Sequence, residues 1–368
     1  MAEPARFERR RLGVGVIGAG RIGTHRARLA ALHPAVEYLA IADIDQDQVD
    51  RLAKATGAQH ATTDPFAVIA DERVNVVIVS TPEHAHAEAV AAAIEAGKSV
   101  LVEKPLALTL EDGDRLARLA EERGVDLRIG YSMRFLQRYF VARDEIRRGQ
   151  IGPVLGGVAR VYNSRTGMMH ILRRSPHATP VMDIVTYLVD YVGWCLGDEI
   201  EPIEVQACGN GMVFRAAGYD VDDVTLTQVK YSSGAVFSFD ICYAMPANFP
   251  TTGQSIRLEV FGRDGCVLID DDHRDQIIYT ERGYSNAYAP DQTMNLAFLG
   301  SRSSGEWADG RMFGRMADET REWLDHQSAG GPCHLTTAGE GRRTLQVTLA
   351  MEEASRTGQP IPLANLAR

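Results

Sequence analysis

The sequence predicts two domains of different classes, an α/β domain with a doubly wound parallel sheet and then an α+β domain with an open, largely antiparallel sheet. Three observations predict this. Short apolar strands alternate with helices from residue 12 to about residue 131, longer alternating strands follow from Pro153, and a chain of 368 residues is long for one hydrophobic core. The predicted division is a disordered N-terminus over 1–10, the first domain over 11–132 and the second over 133–368, with a C-terminal helix over 339–357 that can pack between them.

A glycine-rich turn follows the first strand. Val14–Ile17 is a short apolar run that leads into Gly18-Ala19-Gly20-Arg21-Ile22-Gly23, and a helical pattern comes next. In a dinucleotide site Gly18 permits the tight turn, Gly20 lets the backbone approach a pyrophosphate, and Gly23 lets the helix pack closely on the strand. The helix N-terminus adds free N–H groups and the positive end of its dipole. The turn therefore predicts a Rossmann domain, the alternative being a glycine-rich turn in another kind of α/β protein.

An acidic residue ends the second strand. The run Tyr38–Ala42 stops at Asp43, which lies 20 residues beyond Gly23. A carboxylate at this distance hydrogen-bonds the ribose hydroxyls of NAD and repels the 2′-phosphate of NADP. No arginine follows at Ile44 to accommodate that phosphate. The predicted cofactor is therefore NAD, with NADP disfavoured.

The other elements of the first domain alternate regularly. A nearly continuous β-branched run from Val74 to Val79 is typical of a strand covered on both faces, and a loop Ser80-Thr81-Pro82 follows it. A later strand delivers Glu103-Lys104-Pro105 to the same carboxyl edge. The further predicted elements are helices over Gln46–Thr56, Glu83–Ala96 and Leu110–Arg123, and strands over Ser99–Val102 and Val125–Ile129.

The second domain is predicted from six strands and one informative helix. In the strand Ala235–Tyr243, apolar and polar residues alternate, so one face is covered and the other is open. Because the open face carries Cys242 and Phe261, we expect a homodimer or homotetramer that buries it. The predicted strands are Val154–Tyr162, Ile203–Ala207, Val224–Tyr231, Ala235–Tyr243, Ile256–Phe261 and Cys266–Ile269.

The helix over 180–197 carries two predicted faces. The helical spacing predicts a stripe of buried side chains. It also predicts a second row, rotated by about one residue, on which an acid and a phenol lie one turn apart. Asp183 and Tyr187 on that second row can reach one substrate, whereas Trp194 is read as core. The stripe is Met182, Val185, Val189, Val192 and Leu196, and the second row is Asp183, Tyr187, Asp190 and Trp194.

Composition excludes several classes of protein. The net charge of −10 disfavours nucleic-acid and anionic-membrane partners, and no apolar stretch approaches the ~20 residues of a membrane span. Five cysteines, odd in number and without Cys-x-x-Cys, indicate reduced, mostly buried thiols in the cytoplasm. His84-Ala85-His86 lacks evident acidic or cysteine companions, so no metal is expected.

Taken together, these motifs resemble the glucose–fructose oxidoreductase/inositol dehydrogenase/MocA family. The resembling blocks run in family order over almost the whole chain. The resemblance implies a Rossmann domain, an open-faced α/β domain, and hydride exchange between a nicotinamide and a sugar, cyclitol or related secondary alcohol. The blocks are the glycine-rich turn, Thr81-Pro82 with His86, Glu103-Lys104-Pro105, Asp183 to Gly197 and Arg343 to Gly358. The residues expected at the cofactor are Gly18, Gly20, Arg21, Ile22, Gly23, Asp43, Thr81, Pro82, His86, Glu103 and Lys104.

The resemblance also implies the catalytic residues. Lys104 is expected to polarise the reacting oxygen and stabilise its alkoxide character, with Glu103 as an ion-pair partner that holds the lysine. In the family a lysine, an aspartate and a histidine bind the alcohol, and the peptide bond before the proline is often cis. This chain keeps Lys104 and Asp183 but has Tyr187 where the histidine stands.

The replacement leaves several interpretations open. Tyr187 is the preferred acid/base, activated by Lys104, and His177 on the preceding loop is the alternative. A lyase or glycosidase that uses tightly bound NAD transiently, and a non-catalytic NAD-binding regulator, are the other functions considered. Arg134, Arg165 and His177 are candidates for contact with a polyhydroxy substrate; basic residues near them favour a carboxylated or phosphorylated compound or a subunit contact.

Overall fold

The computed structural model divides the chain into two compact units. It describes residues 9–175, 178–249, 254–270, 277–286, 289–298, 306–308 and 311–363. Unit 1 consists of Met1–Phe135 and Trp307–Leu345, and unit 2 consists of Leu136–Glu306 and Gln346–Arg368. No helix in these described ranges is both long enough and apolar enough to cross a bilayer.

Unit 1 begins with the predicted alternation of strands and helices. Gln46–Thr56 and Leu110–Arg123 are helices with the predicted bounds. Each has a side chain capping its N-terminus, Asp45 and Thr109, and a left-handed glycine after its last residue. The elements are β1 (Leu12–Ile17), α1 (Arg21–Ala31), β2 (Val36–Ala42), α2 (Gln46–Thr56), β3 (His60–Thr62), α3 (Pro65–Ala70), β4 (Val76–Val79), a 3₁₀ turn (Glu83–Ala85), α4 (His86–Glu95), β5 (Ser99–Glu103), α5 (Leu110–Arg123), β6 (Leu127–Gly130) and a second 3₁₀ turn (Ser132–Phe135).

Six of these strands form the parallel sheet that the sequence predicts. Their order is β6-β5-β4-β1-β2-β3, which is the doubly wound order with its reversal between β1 and β4. All residues of β1 and β4 are buried, as the apolar run from Val74 to Val79 indicates. The glycine-rich turn leaves β1 and the Ser80-Thr81 loop leaves β4, so both lie where a doubly wound sheet places its ligand.

Unit 2 is built on another sheet, which has seven strands. The strand order is β12 (Cys266–Asp270), β11 (Ser255–Gly262), β7 (Val154–Ser164), β10 (Val236–Met245), β9 (Val224–Tyr231), β8 (Pro202–Asn210) and β18 (Ile361–Pro362). Neighbouring strands are antiparallel except that β10 pairs with β7 in parallel. All six predicted strands are present. The elements are α6 (Gln137–Arg147), β7 (Val154–Ser164), α7 (Arg165–Arg174), a π-helical segment (Val181–Val185), α8 (Thr186–Leu196), β8 (Pro202–Asn210), α9 (Val213–Ala216), β9 (Val224–Tyr231), β10 (Val236–Met245), β11 (Ser255–Gly262), β12 (Cys266–Asp270), β13 (Ile277–Asn286) and β14 (Ala289–Phe298).

The end of the chain contributes to both units. Trp323 and Leu324 of α10 are buried with Leu12, Val14 and other residues of the first sheet, so this helix completes the core of unit 1. The predicted division instead places the whole of 133–368 in the second domain. The remaining elements are β15 (Glu306–Ala308), β16 (Arg311–Phe313), α10 (Arg315–Ala329), β17 (Thr336–Thr337), α11 (Ala338–Thr357) and β18 (Ile361–Pro362).

The predicted stripe on the helix over 180–197 is wrong in detail. Met182 is only half-buried, and Val181, Ile184 and Leu188, which lie off the predicted stripe, are buried. Two features account for this. The π-helical segment Val181–Val185 has a wider turn, which rotates the residues before α8 relative to an α-helical wheel, and α8 itself is buried on almost all sides rather than along one stripe. None of the five cysteines forms a disulfide, as predicted, but only Cys195 is buried, so the expectation of mostly buried thiols is wrong.

The open face of the second sheet carries exposed apolar side chains. Phe261 is 38% exposed and Leu268 is 65% exposed, while Cys242 is half-buried. Their strand neighbours Ile241, Val260 and Ile269 point to the covered face and are buried. The strands therefore have the predicted one-sided burial.

Candidate functional site

The glycine-rich turn has the backbone that the sequence predicts. Gly18 has φ +99°, and a Cβ there would lie 2.5 Å from the carbonyl oxygen of Ser80. A Cβ at Gly23 would lie 1.8 Å from the carbonyl oxygen of Gly18, so any side chain would force α1 away from the turn. A Cβ at Gly20 would meet nothing within 4 Å. Packing therefore requires two of the glycines, and the third faces open space that a ligand can occupy.

The N-terminus of α1 has no side-chain cap among the described residues. Gly20 is its N-cap and provides no side-chain hydrogen bond, and no acidic residue lies in the first turn. The first N–H groups and the positive dipole end are consequently available to a phosphate. Arg21 is exposed at this terminus, whereas Ile22 packs against a cluster that includes Met312 and Met316.

Asp43 connects the end of β2 to the glycine-rich turn. Its Oδ2 accepts a hydrogen bond from the Ala19 N–H at 2.6 Å, and its Oδ1 accepts one from the Asp45 N–H at 3.0 Å. Each carboxylate oxygen keeps a second lone pair, so both can still accept from ribose hydroxyls. The backbone thus holds Asp43 beside the turn in an orientation that suits the ribose of a dinucleotide.

Two hydroxyls after β4 are buried without a hydrogen-bond partner in the part of the chain that the structure describes. Ser80 Oγ and Thr81 Oγ1 are buried without a hydrogen bond among the described atoms, and Pro82 beside them is exposed. Buried hydroxyls are usually paired, so their orphaned state at the switch point of the sheet indicates a missing ligand or water. NAD fits a site with these features: open space over Gly20, the uncapped N-terminus of α1, the Asp43 carboxylate and the two hydroxyls.

His86 joins two loops at the carboxyl edge of the sheet. It is 1% exposed, with Nε2 at 2.8 Å from the carbonyl oxygen of Thr81 and Nδ1 at 3.1 Å from that of Pro105. Both ring nitrogens therefore face backbone carbonyls, and the ring braces the loop after β4 against the loop after β5. Within the described ranges, no group of three or more His, Cys, Asp or Glu residues is arranged to hold a metal ion.

Lys104 follows β5 directly and is half-buried. The Lys104–Pro105 peptide bond is cis, as the resemblance implies. The predicted ion-pair partner of Glu103 is Lys104, but the cation found against this carboxylate is Arg26. Glu103 Oε1 accepts from Arg26 Nε at 2.9 Å and lies 2.8 Å from Arg26 Nη2.

Arg26 is the centre of a buried network that the sequence reading missed. Its side chain is fully buried, Nη2 binds Glu319 Oε2 at 2.5 Å and Nη1 binds Thr320 Oγ1 at 2.6 Å. Burial raises the pKa of Glu319 to about 7, although the charge of Arg26 opposes that shift. One signal was available: Arg26 lies at helical spacing from Gly23 and Ala30 on the side of α1 whose buried positions are 23, 26, 27, 29 and 30, so the arginine is on the apolar face of the helix.

In unit 2, Asp183 and Tyr187 are two of the few partly exposed residues on a largely buried helix. Both are half-buried, whereas Ile184, Val185 and Thr186 between them are buried. Trp194 is buried, with the Arg143 guanidinium 4.6 Å from its ring centroid. The structure thus keeps the acid and the phenol accessible on successive turns and places Trp194 in the core.

A second tyrosine, Tyr243, binds Asp183. Tyr243 Oη donates to Asp183 Oδ2 at 3.0 Å, and Gln254 Nε2 donates to Tyr243 Oη at 3.4 Å. Burial and then the charge of Asp183 raise the pKa of Tyr243 well above its ordinary value, so this phenol stays neutral. The alternation of β10 places Tyr243 on the covered face but gives no sign of its contact with Asp183, because the helix that carries the aspartate is distant in sequence.

Two of the residues predicted to contact substrate bind other parts of the chain, and the third lies outside the described residues. Arg134 is 1% exposed, and its Nη2 binds Glu340 Oε1 at 3.1 Å. Arg165 donates from Nη2 to the carbonyl oxygen of Ala244 at 2.9 Å and so holds the end of β10. His177 lies outside the described residues.

The fold and these sites define an NAD-binding oxidoreductase of two units. The chain matches the sequence model described as the oxidoreductase family with NAD-binding Rossmann fold over residues 12–131, and that of the GFO/IDH/MocA C-terminal domain over 139–268. The chain therefore belongs to the GFO/IDH/MocA oxidoreductase family.

The relatives of this chain include inositol dehydrogenases. It is 30% identical to inositol 2-dehydrogenase 3 of Saccharopolyspora erythraea, over 95% of each chain. It is 29% identical to myo-inositol 2-dehydrogenase of Thermotoga maritima, over 73% of this chain and 78% of the relative. Among solved structures, GenD2 from gentamicin A biosynthesis, in complex with NAD, has a TM-score of 0.80 at 24% identity and 99% coverage of both chains.

Cofactor preference is tested at Asp43. We expect the wild-type chain to bind NAD more tightly than NADP. Asp43→Ser should reduce this difference in affinity, mainly by weakening NAD binding. The substitution removes the acceptor for the ribose hydroxyls and the charge that repels a 2′-phosphate. The measurement is the dissociation constant of each cofactor, with Asp47→Ser on the same surface as the control. Binding of NADP by the wild-type chain as tight as that of NAD would contradict the assignment.

The buried carboxyl of Glu319 predicts a pH dependence of stability. Its pKa is raised from 4.5 to about 7, so the folded chain retains a proton that the unfolded chain releases. This contribution is fully present below about pH 4.5 and is lost as the pH rises through about 7. We expect the free energy of unfolding of the wild type, relative to Glu319→Gln, to decrease over that window by at most about 1.4 kcal/mol per pH unit. Parallel pH profiles from urea titrations of the two proteins would contradict it.

Proposed function

We propose that the chain is an NAD-dependent dehydrogenase that oxidises one secondary alcohol of a cyclitol or a related polyhydroxy compound. The observation that carries this proposal is the likeness to an inositol 2-dehydrogenase along 95% of both chains, together with Glu103-Lys104-Pro105 at the end of β5. Bound NAD supplies the acceptor for the hydride. What remains for the chain is to bind the alcohol, orient it and remove its proton.

Lys104 is proposed to bind the reacting oxygen. An ammonium beside a hydroxyl that loses hydride stabilises the alkoxide character that develops there. Lys104 is half-buried at the carboxyl end of β5, the edge of the parallel sheet at which the glycine-rich turn and the Ser80-Thr81 loop also lie. The partly desolvated setting strengthens this electrostatic contribution.

Asp183 and Tyr187 are proposed to act on the same substrate as Lys104. Asp183 already accepts from Tyr243, and its second oxygen can accept from a substrate hydroxyl. Neutral Tyr243 leaves the aspartate charge in place, which makes Asp183 a strong acceptor. Tyr187, accessible one turn further on, is the group proposed to take the proton.

Measuring turnover tests the proposed function. Purified chain is incubated with NAD and a panel of inositols, aldoses and glycosides, and both NADH and loss of substrate are followed. Formation of one NADH per substrate consumed supports the dehydrogenase. Turnover of a glycoside without net NADH would instead indicate a lyase or glycosidase with transient oxidation, and NAD binding without any turnover would indicate a regulator.

The role of Tyr187 is tested by removing only its hydroxyl. Tyr187→Phe keeps the ring, and general acid–base catalysis typically contributes about 10²–10⁴ in rate, so we expect a decrease of kcat in that range with NAD binding unchanged. Tyr219→Phe, at a tyrosine outside the proposed site, is the control. If Tyr187→Phe retains full activity while His177→Ala abolishes it, the proton passes to His177.

We propose that the chain forms a homodimer or homotetramer through the open face of the second sheet. The exposed apolar side chains there, Phe261 and Leu268 among them, are of the kind that proteins bury against a symmetry-related copy. Light scattering at micromolar concentration is expected to give a multiple of the 40.3 kDa chain mass. Leu268→Lys should lower that mass, and a monomeric wild type would contradict the proposal.

A further inference from the structure

We infer that Arg26, held by Glu319 and Thr320, is a positioning residue that fixes Lys104 through Glu103. The inference rests on the proposed function only in taking Lys104 as the residue that binds the reacting oxygen. Arg26 itself is fully buried and does not contact substrate.

The geometry on the N-terminal side of Lys104 is specific. Two guanidinium nitrogens of Arg26 approach one oxygen of Glu103, Nε at 2.9 Å and Nη2 at 2.8 Å. Because Glu103 is the residue directly before Lys104, fixing its carboxylate fixes the backbone from which the lysine side chain begins. A planar guanidinium fixes the direction of the Glu103 carboxylate as well as its distance, whereas the ammonium of a lysine at position 26 could not fix the direction.

The geometry on the C-terminal side completes the constraint. The carbonyl of Pro105, the residue directly after Lys104, lies 3.1 Å from Nδ1 of the buried His86. Lys104 is thus flanked on one side by an anchored side chain and on the other by an anchored carbonyl. A catalytic side chain on a loop needs such support, because small misplacements of a reacting group are costly in rate.

Arg26 is in turn fixed from a distant part of the sequence. Its Nη2 binds Glu319 and its Nη1 binds Thr320 Oγ1 at 2.6 Å, and both partners are on α10, nearly 300 residues along the chain. A Cβ at Gly130, at the end of β6, would lie 3.0 Å from Arg26 Nη2, so the neighbouring strand leaves room only for the guanidinium. The network therefore has contacts that set the guanidinium plane from several sides.

The chain offers an activity-independent probe of Lys104. It contains four lysines, Lys54, Lys98, Lys104 and Lys230, and Lys54 and Lys230 are exposed references. The rate of acetylation of each amine by limiting acetic anhydride, read by peptide mass spectrometry, reports the environment of that amine. The variant is Arg26→Gln, and the matched control is Asp126→Asn, which removes the Arg128–Asp126 ion pair at the opposite, amino end of β6.

We expect Arg26→Gln to change the acetylation rate of Lys104 relative to Lys54 by at least about threefold, because Glu103 loses its partner and its charge becomes available to the lysine. Asp126→Asn should change neither the acetylation rate of Lys104 nor that of Lys54. In turnover, Arg26→Gln should lower kcat by about 10- to 100-fold with the Kd of NAD unchanged. In a Lys104→Met background the same substitution should have little further effect, since it acts through the lysine.

The outcomes separate this inference from the proposed function. A changed Lys104 rate in a chain that oxidises no polyol supports the positioning role and counts against the dehydrogenase. An unchanged Lys104 rate, or equal kcat losses with and without Lys104, overturns the positioning role and leaves the dehydrogenase standing. If Arg26→Gln does not fold, Thr320→Val is measured against the same criteria; it keeps the guanidinium and removes its Nη1 hydrogen bond together with the hydrogen bond from Thr320 Oγ1 to the Met316 carbonyl.

Discussion

The buried guanidinium of Arg26 is the constraint on which the first unit depends. It joins α1, the end of β5 and α10, three elements that the chain reaches at residues 26, 103 and 319. An unpaired charge in this position would cost several kcal/mol, so the arginine and its two carboxyl partners must be present together. These contacts begin on α1, the helix that follows the glycine-rich turn, and they include Glu103, the residue directly before Lys104. Stability of the unit and geometry of the proposed catalytic lysine therefore share one set of interactions.

Much of the fold could be predicted because its determinants are local. A few neighbouring residues are enough to predict each of these elements: the glycine-rich turn, the β-branched strand β4 and the capped helices α2 and α5. The alternation in β10 and β11 likewise identified a sheet covered on one side. The return of α10 to unit 1 could not be predicted in this way, because α10 has an ordinary amphipathic sequence and its partners are nearly 300 residues earlier.

The features of the candidate site also differ in whether local sequence predicts them. Asp43, the uncapped N-terminus of α1 and the loops after β4 and β5 follow from spacing. By contrast, the Arg26–Glu103 pair and the Tyr243–Asp183 hydrogen bond join residues separated by 77 and 60 positions. A sequence pattern shows that an arginine falls on an apolar face or that a tyrosine ends an apolar row, but it does not name the partner. The π-helical segment before α8 also changes which side chains are buried, and no residue in Val181–Val185 signals it.

The chemistry proposed for unit 2 differs from that of the resembling family in its proton acceptor. A phenol titrates near 10 and needs a neighbouring cation to act as a base at neutral pH, whereas the imidazole it replaces does not. Tyr243 adds a second, neutral phenol that binds Asp183 and orients it. Asp183 can therefore serve as a fixed acceptor for a substrate hydroxyl while Tyr187 is proposed to exchange the proton.

The central claim is that a hydride passes from a substrate carbon to the nicotinamide. Substrate deuterated at the carbon that is oxidised, incubated with the chain and NAD, tests it most directly by mass spectrometry of the recovered cofactor. We expect one deuterium in the NADH and a slower reaction than with unlabelled substrate. Consumption of the labelled substrate with the deuterium released to water, or retained in the product without any in the cofactor, would contradict it.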